Sequence, residues 1–487
     1  MAAPAWLSSM PRPALMAIGD SFLNGMRSYT IQTALAAASI PARVGDALDD
    51  MPGFARFAPS TYPRPVLIDV EATLRASTHS IFPPIALGEL YGHLDEIKAA
   101  VAVNARDWFH DFEKPQDSSA RPAFDNLAIA GARIEDVFNI THRQLDARIT
   151  AMSAVARQST DPLAWSGPWP SGDPYAGSWG MGDMHIAINS RHLRNPANRN
   201  GLDDLTVVDM VAARRPRALI VNLGPNHGIV DVVMRYAGNA GMTGLEAFAD
   251  AWPACVRELA RLPSIDITVV LLMPLPSQVP CMAPPRGDIH DPAPGPGNKF
   301  PFYVSAMSPI YVNQGYSSAE MAQLDARMQE VNRRVREATQ QAFDARGRAV
   351  AFVNLAESLG QYDYKHRKGP KLQVPGTQRS YDNYPLGPFA TDRLAGGFCG
   401  LDHIHPSALG YRYVAEAVRL ELPMTMASRP IPLLDNDDDF LTHPHRPTLA
   451  VLSALHPFPA TGAGMPGPPD PTRRQADLLL HRPGWLR

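Results

Sequence analysis

Cysteine is almost missing from this chain: 487 residues contain three, Cys255, Cys281 and Cys399, far apart and in no paired spacing. That pattern excludes a disulfide framework and a cysteine-ligated zinc site. Long apolar runs are missing as well. No stretch approaches the roughly 18 residues of a membrane-crossing helix, and the opening "MAAPAWLSSMPR" has neither the basic region nor the long apolar core of a secretory leader. The expectation is a soluble, cytoplasmic protein with no transmembrane segment. Excess charge is equally scarce, since 45 basic and 48 acidic residues leave a net charge of −3. The basic footprint of a nucleic-acid binder is absent, and no nucleic-acid partner is expected. No internal repeat of fixed period is visible.

What the chain does have is 48 prolines, about twice the usual share, which implies long irregular connections. With 45% hydrophobic and 19% charged residues, it reads as globular with a buried core. The short apolar runs "ALMAI" (14–18), "NLAIA" (126–130), "RALIVNLG" (217–224), "DITVVLLMPLP" (266–276) and "AVAFVNLA" (349–356) have the length of buried parallel strands, and "PVLIDV" (65–70) is a weaker sixth. Helical patterns lie between them. In "SSAEMAQLDARMQEVNRRVREATQQAFDA", Met321, Leu324, Met328, Val331, Val335 and Ala338 step by three and four, and Ser317 with Glu320 has capping-box spacing. Strands alternating with helices imply a three-layer α/β/α domain built on a mostly parallel sheet. That domain is expected to span 1–424, interrupted by irregular insertions at about 41–120, 155–200 and 277–316 that rim a pocket. Residues 425–487 read as a proline-rich tail.

The chemistry starts at "AIGDSFLNG". Ser21 follows a strand by three residues, where a Gly-containing turn into a helix presents backbone N–H groups. It is either a nucleophile with its own N–H as an oxyanion donor, or, with Asp20, the cap of the next helix. A nucleophilic serine needs a base and the base an orienting group. "GLDHIHPSALGYRY" offers both, because Asp402 and His405 are three residues apart just before a helix opened by Pro406. A capping loop with a surface histidine is the structural alternative, and a metal site from Asp402, His403 and His405 is another, unsupported by H-E-x-x-H or a second ligand cluster. Two more residues sit at strand ends. Gly131 lets a ligand approach the backbone, and the Asn226 amide can donate to an oxyanion; singly, each is also an ordinary turn residue. No G-x-S-x-G elbow is present. Trp165, Trp169, Trp179 and Tyr175 either line an acyl pocket, stack on a sugar or pack a loop layer.

Taken in order, "GDS", the "NLAIAGA" glycine, the "GPN" asparagine and "DHIHPS..GY" resemble the four blocks of the SGNH hydrolase (GDSL esterase/lipase) superfamily, over residues 14 to about 420. The resemblance implies a flavodoxin-like fold and hydrolysis of small-molecule or lipid esters through an acyl-serine, without a cofactor. Ser21 would be the nucleophile, His405 the base and Asp402 its orienter; the N–H groups of Ser21 and Gly131 and the Asn226 side chain would form the oxyanion hole. The chain departs from the pattern where an aspartate commonly follows the asparagine: His227 stands there, as a substrate contact or a turn histidine. Acyl transfer to an alcohol in the same site, and a non-catalytic ligand-binding member of the fold, are the alternatives. Oligomeric state is not legible.

Overall fold

The computed structural model describes residues 3–48, 51–69, 72–73, 93–175, 177–234, 239–279, 282–283, 302–305, 315–360, 372–373, 380–381, 399, 404–426 and 429–431. Four of the apolar runs form one parallel sheet: β1 (Leu15–Gly19), β2 (Ala218–Asn222), β3 (Ile267–Leu272) and β4 (Ala349–Asn354), in the order β1-β2-β3-β4. Their starts are level, with Leu15 opposite Ala218, Ala218 opposite Ile267 and Ile267 opposite Ala349. The "NLAIA" run lies along the free edge of β1 through three backbone bonds: Ala17 N–H to Asp125 O, Leu127 N–H to Ala17 O and Ile129 N–H to Gly19 O, at 3.0, 2.8 and 2.8 Å. Counted with that edge, the spatial order is 2-1-3-4-5, the flavodoxin-like arrangement with its switch point between the first and third strands.

Alternate residues of each strand point to opposite faces, and the core divides accordingly. Met16, Ile18, Leu219, Val221, Val270 and Leu272 join one buried cluster, and Leu15, Ala17, Ala218, Ile220, Ile267, Val269 and Leu271 the other. Among the helices are α1 (Ser21–Asn24), α2 (Ile40–Ala47), α3 (Leu94–Glu113), α4 (Ile134–Phe138), α5 (His142–Gln158), α6 (Met181–Arg194), α7 (Val207–Arg214), α8 (Asn239–Leu259), α9 (Ser318–Asp344) and α10 (Ala408–Leu420). Apolar residues of α7, α8 and α9 cover the first face, and those of α2 and α10 the second. This is a three-layer α/β/α domain. The Ser317–Glu320 capping box forms as its spacing predicts, and Met321, Leu324, Met328, Val331 and Val335 are buried.

Two expectations need correction. "PVLIDV" is not a strand where it is described: Leu67 has φ +56°, outside the range of a strand, and Val66 N–H bonds to Ile31 O. The first two insertions are also less irregular than their composition suggests. The first carries α3, which buries Val101, Ala102, Ala105, Trp108 and Phe109, and the second carries α6. Most of the third lies outside the described residues. Beyond α10, Ile431 is still buried in the second cluster, its N–H on Glu416 Oε2 at 3.0 Å. No helix among the described residues is long and apolar enough to cross a membrane.

Candidate active site

The turn after β1 is held by contacts that leave no room for other residues. A Cβ on Gly19 would lie 2.3 Å from the Asn222 carbonyl oxygen, so the backbone can pass only as glycine. Asp20 then caps α1, its carboxylate accepting from Phe22 N–H at 3.0 Å. Capping therefore falls to Asp20, and the Ser21 side chain is available for other contacts. Asn24 and Asn126 clamp the helix to the neighbouring edge: Asn24 Nδ2 donates to Ala128 O at 2.8 Å and Asn126 Nδ2 to Leu23 O at 3.0 Å. Both amides are buried. Neither was legible as support, although both sit inside stretches the sequence had already marked.

His405 arrives from the other end of the chain. Its Nε2 lies 2.9 Å from Ser21 Oγ, across 384 positions. For Nε2 to accept the hydroxyl proton, the imidazole's own proton must sit on Nδ1. The helix that follows begins at Ala408 rather than Pro406, and Ser407 is its cap, accepting from Gly410 N–H at 3.2 Å. Tyr411 of α10 donates its hydroxyl to Met26 O and lies 3.4 Å from Ser21 O, tying the helix that follows His405 to the serine's turn. The Tyr29 ring meets the His405 ring edge-on, with centroids 5.8 Å apart. Asp402 and His403 lie outside the described residues. Beside the pair, burial pushes the Asp20 carboxyl up to about 7, opposed by the Phe22 N–H and by His405.

Gly131 and Asn226 face the same space. Gly131 has φ +82°, and among the described residues neither its N–H nor that of Ser21 is committed to another acceptor. Asn226 uses one Nδ2 hydrogen on Ala132 O at 3.0 Å. That bond fixes which end of the amide is nitrogen and leaves the second hydrogen of Nδ2 available. The glycine turn is braced from behind. Asp136 of α4 accepts from the Arg133 N–H, from Arg148 and from Tyr175 Oη at 3.0, 3.0 and 2.5 Å, while Arg194 donates to Ile140 O and Asp136 O at 2.7 and 2.5 Å. Arg148 also holds Asp173 through two bonds of 2.6 and 2.9 Å and lies over the rings of Trp169 and Tyr175, which themselves meet edge-to-face.

Ser21, Gly131, Asn226 and His405 all line one cavity of about 750 Å³. Its walls are mostly apolar, including Leu67, Ile97, Val101, Ile186 and Val230. Four apolar side chains that also line it are exposed: Tyr29, Leu94, Leu163 and Met181. His185 is a second histidine in the wall, unannounced by any motif. Burial, with His405 adding to it, lowers His185 to about 4, and its Nε2 has no partner among the described residues. Trp165, Trp169, Trp179 and Tyr175 do not line the cavity; Trp165 and Trp179 are buried packing, and the other two belong to the Arg148 stack. Among the described residues no group of three His, Cys, Asp or Glu side chains is placed to hold a metal ion.

The model of the family described as GDSL-like Lipase/Acylhydrolase matches residues 15–418. The chain belongs to that family. GDSL membership makes it a hydrolase of the SGNH type, and the 2-1-3-4-5 sheet agrees with that fold. The match begins at β1 and ends in α10, so it includes both the serine and histidine blocks of this GDSL chain. No curated protein and no solved structure gives a significant match.

Proposed function

We propose that the protein hydrolyses carboxylic esters through an acyl-serine at Ser21. The observation that carries this reading is the 2.9 Å contact of His405 Nε2 with Ser21 Oγ at an apolar cavity. Ser21 Oγ attacks the ester carbonyl while His405 Nε2 takes its proton, and the carbonyl π electrons move onto oxygen. The Ser21 and Gly131 N–H groups and the second Nδ2 hydrogen of Asn226 stabilise that oxyanion. Collapse breaks the bond to the alcohol oxygen, which takes the proton from His405. Water, deprotonated by the same histidine, then attacks the acyl carbonyl; collapse breaks the bond to Ser21 Oγ, which takes the proton back from His405, and the acid is released. Asp402, three residues before His405 in the sequence, is assigned the role of orienting its imidazole. An alcohol in place of water gives acyl transfer by the same steps.

The cavity favours esters with an extended apolar acyl group. Each methylene it buries contributes about 0.8 kcal/mol, which is roughly a fourfold gain in kcat/KM. A series of p-nitrophenyl esters from acetate to dodecanoate, run with Ser21→Ala as control, tests this. The expected result is a stepwise rise followed by a plateau when the cavity is full. A maximum at acetate would contradict the assignment of the apolar walls to the acyl chain.

A further inference from the structure

The histidine that replaces the usual aspartate after Asn226 has a definite place. His227 Nε2 accepts the backbone N–H of Ile134, the first residue of α4, at 3.0 Å. Asn226 Nδ2 donates to Ala132 O from the same tight turn. Two adjacent residues of the asparagine block thus hold two residues of the glycine turn, 93 and 94 positions away. The histidine is itself fixed. Its N–H bonds to Gly224 O at 2.8 Å, its ring lies against Phe248 of α8 with centroids 5.0 Å apart, and a Cβ on Gly244 would come within 2.1 Å of its carbonyl oxygen. The 225–228 turn is therefore seated on α8 with its side chain pointing at the glycine turn. A nitrogen that accepts an N–H must be unprotonated, and burial, reinforced by the neighbouring Arg133 and opposed by Asp136, lowers His227 to about 4.

We infer that His227 is a positioning residue: by accepting Ile134 N–H it sets the distance between the Gly131 N–H and the Asn226 amide, and so the geometry of the oxyanion hole. The inference rests on the reading of Ser21 as nucleophile. His227 does not touch the reacting atoms and acts only through the two turns it joins. An acceptor is required there, not an imidazole as such. Among side chains, the Gln amide oxygen reaches about as far as Nε2, whereas Asn stops one methylene short.

The test compares His227→Gln with His227→Asn, each checked for a wild-type thermal melt, and adds His227→Phe, which keeps the ring and removes the acceptor. Misplacing a reacting geometry by about 1 Å costs about a hundredfold. His227→Gln should keep kcat within a fewfold of wild type, and His227→Asn and His227→Phe should lose about tenfold to a hundredfold in kcat at nearly unchanged KM. Wild-type kcat in both Asn and Phe, a loss expressed in KM alone, or a Gln variant as slow as Asn would overturn the inference. Labelling of the wild type by a fluorophosphonate separates the two layers of the argument. If wild-type Ser21 labels and turns over ester but the Asn variant equals it, only the role of His227 falls; if wild-type Ser21 does not label, both fall.

Discussion

Gly131→Ala is the perturbation whose cost is most directly readable from the structure. The residue sits at φ +82°, where an L side chain strains the backbone by about 1–2 kcal/mol. The added methyl would also lie 2.6 Å from Ile186 Cγ1 and 2.7 Å from Cδ1, too close for any real contact, so either Ile186 leaves its rotamer or the turn retreats. A retreating turn withdraws the Gly131 N–H from the cavity. Loss of one oxyanion donor reduces turnover about 100- to 1,000-fold, and Gly131→Ala should fall in or just below that range. Ile186→Ala removes the clash but not the backbone strain. The double variant should therefore recover about tenfold over Gly131→Ala, a coupling of about 1–2 kcal/mol in a double-mutant cycle. The assay is kcat and kcat/KM for all four proteins on one p-nitrophenyl ester. Strict additivity, or a Gly131→Ala enzyme with wild-type kcat, would show that the glycine turn does not place a donor.

Ser28 and Tyr29 both have positive φ, 51° and 58°, between Arg27 and Thr30, whose backbones exchange two bonds of 3.1 and 2.8 Å. That left-handed pair holds the Tyr29 ring against His405. Tyr29→Gly should melt as more stable than Tyr29→Ala by about 1 kcal/mol, the reverse of the helix order, while both lose activity. Asp20→Asn keeps the acceptor for Phe22 N–H and removes a buried carboxylate. Because the folded carboxyl is raised from its ordinary 3.8 to about 7, it binds its proton more tightly than in the unfolded chain. Its contribution to stability is full below about pH 4 and is lost as pH rises through 7. The variant's advantage in urea unfolding should grow from little at pH 4 to as much as about 4 kcal/mol at pH 8; a constant difference across that range would refute the assignment.

Most of the sheet was legible because buried parallel strands are short apolar runs and carry their signal locally. "NLAIA" was found for the same reason, although it meets β1 as an edge with three backbone bonds rather than as a full strand. "PVLIDV" misled because its apolar residues serve a different surface: Val66 and Leu67 are buried in the core cluster beside α3, and Leu67 also lines the cavity. Helices α3 and α6 were hidden by their proline-rich neighbours, even though Val101, Ala105, Trp108 and Phe109 keep helical spacing. At the site, Ser21, Gly131, Asn226 and His405 could be named from four short islands. What joins them could not. The Asn24–Asn126 clamp, the Arg148 stack and the His227 contact pair residues that gain meaning only when the fold brings them together, and none has a spacing that marks it.

The most direct test of the central claim is intact-mass analysis after reaction with a fluorophosphonate, followed by peptide mapping. The wild type should take up one adduct, located on Ser21; Ser21→Ala should take up none, and His405→Ala should label at least about 100-fold more slowly, as expected when the base is removed. Equal labelling of wild type and Ser21→Ala, or an adduct on another residue, would contradict Ser21 as the nucleophile.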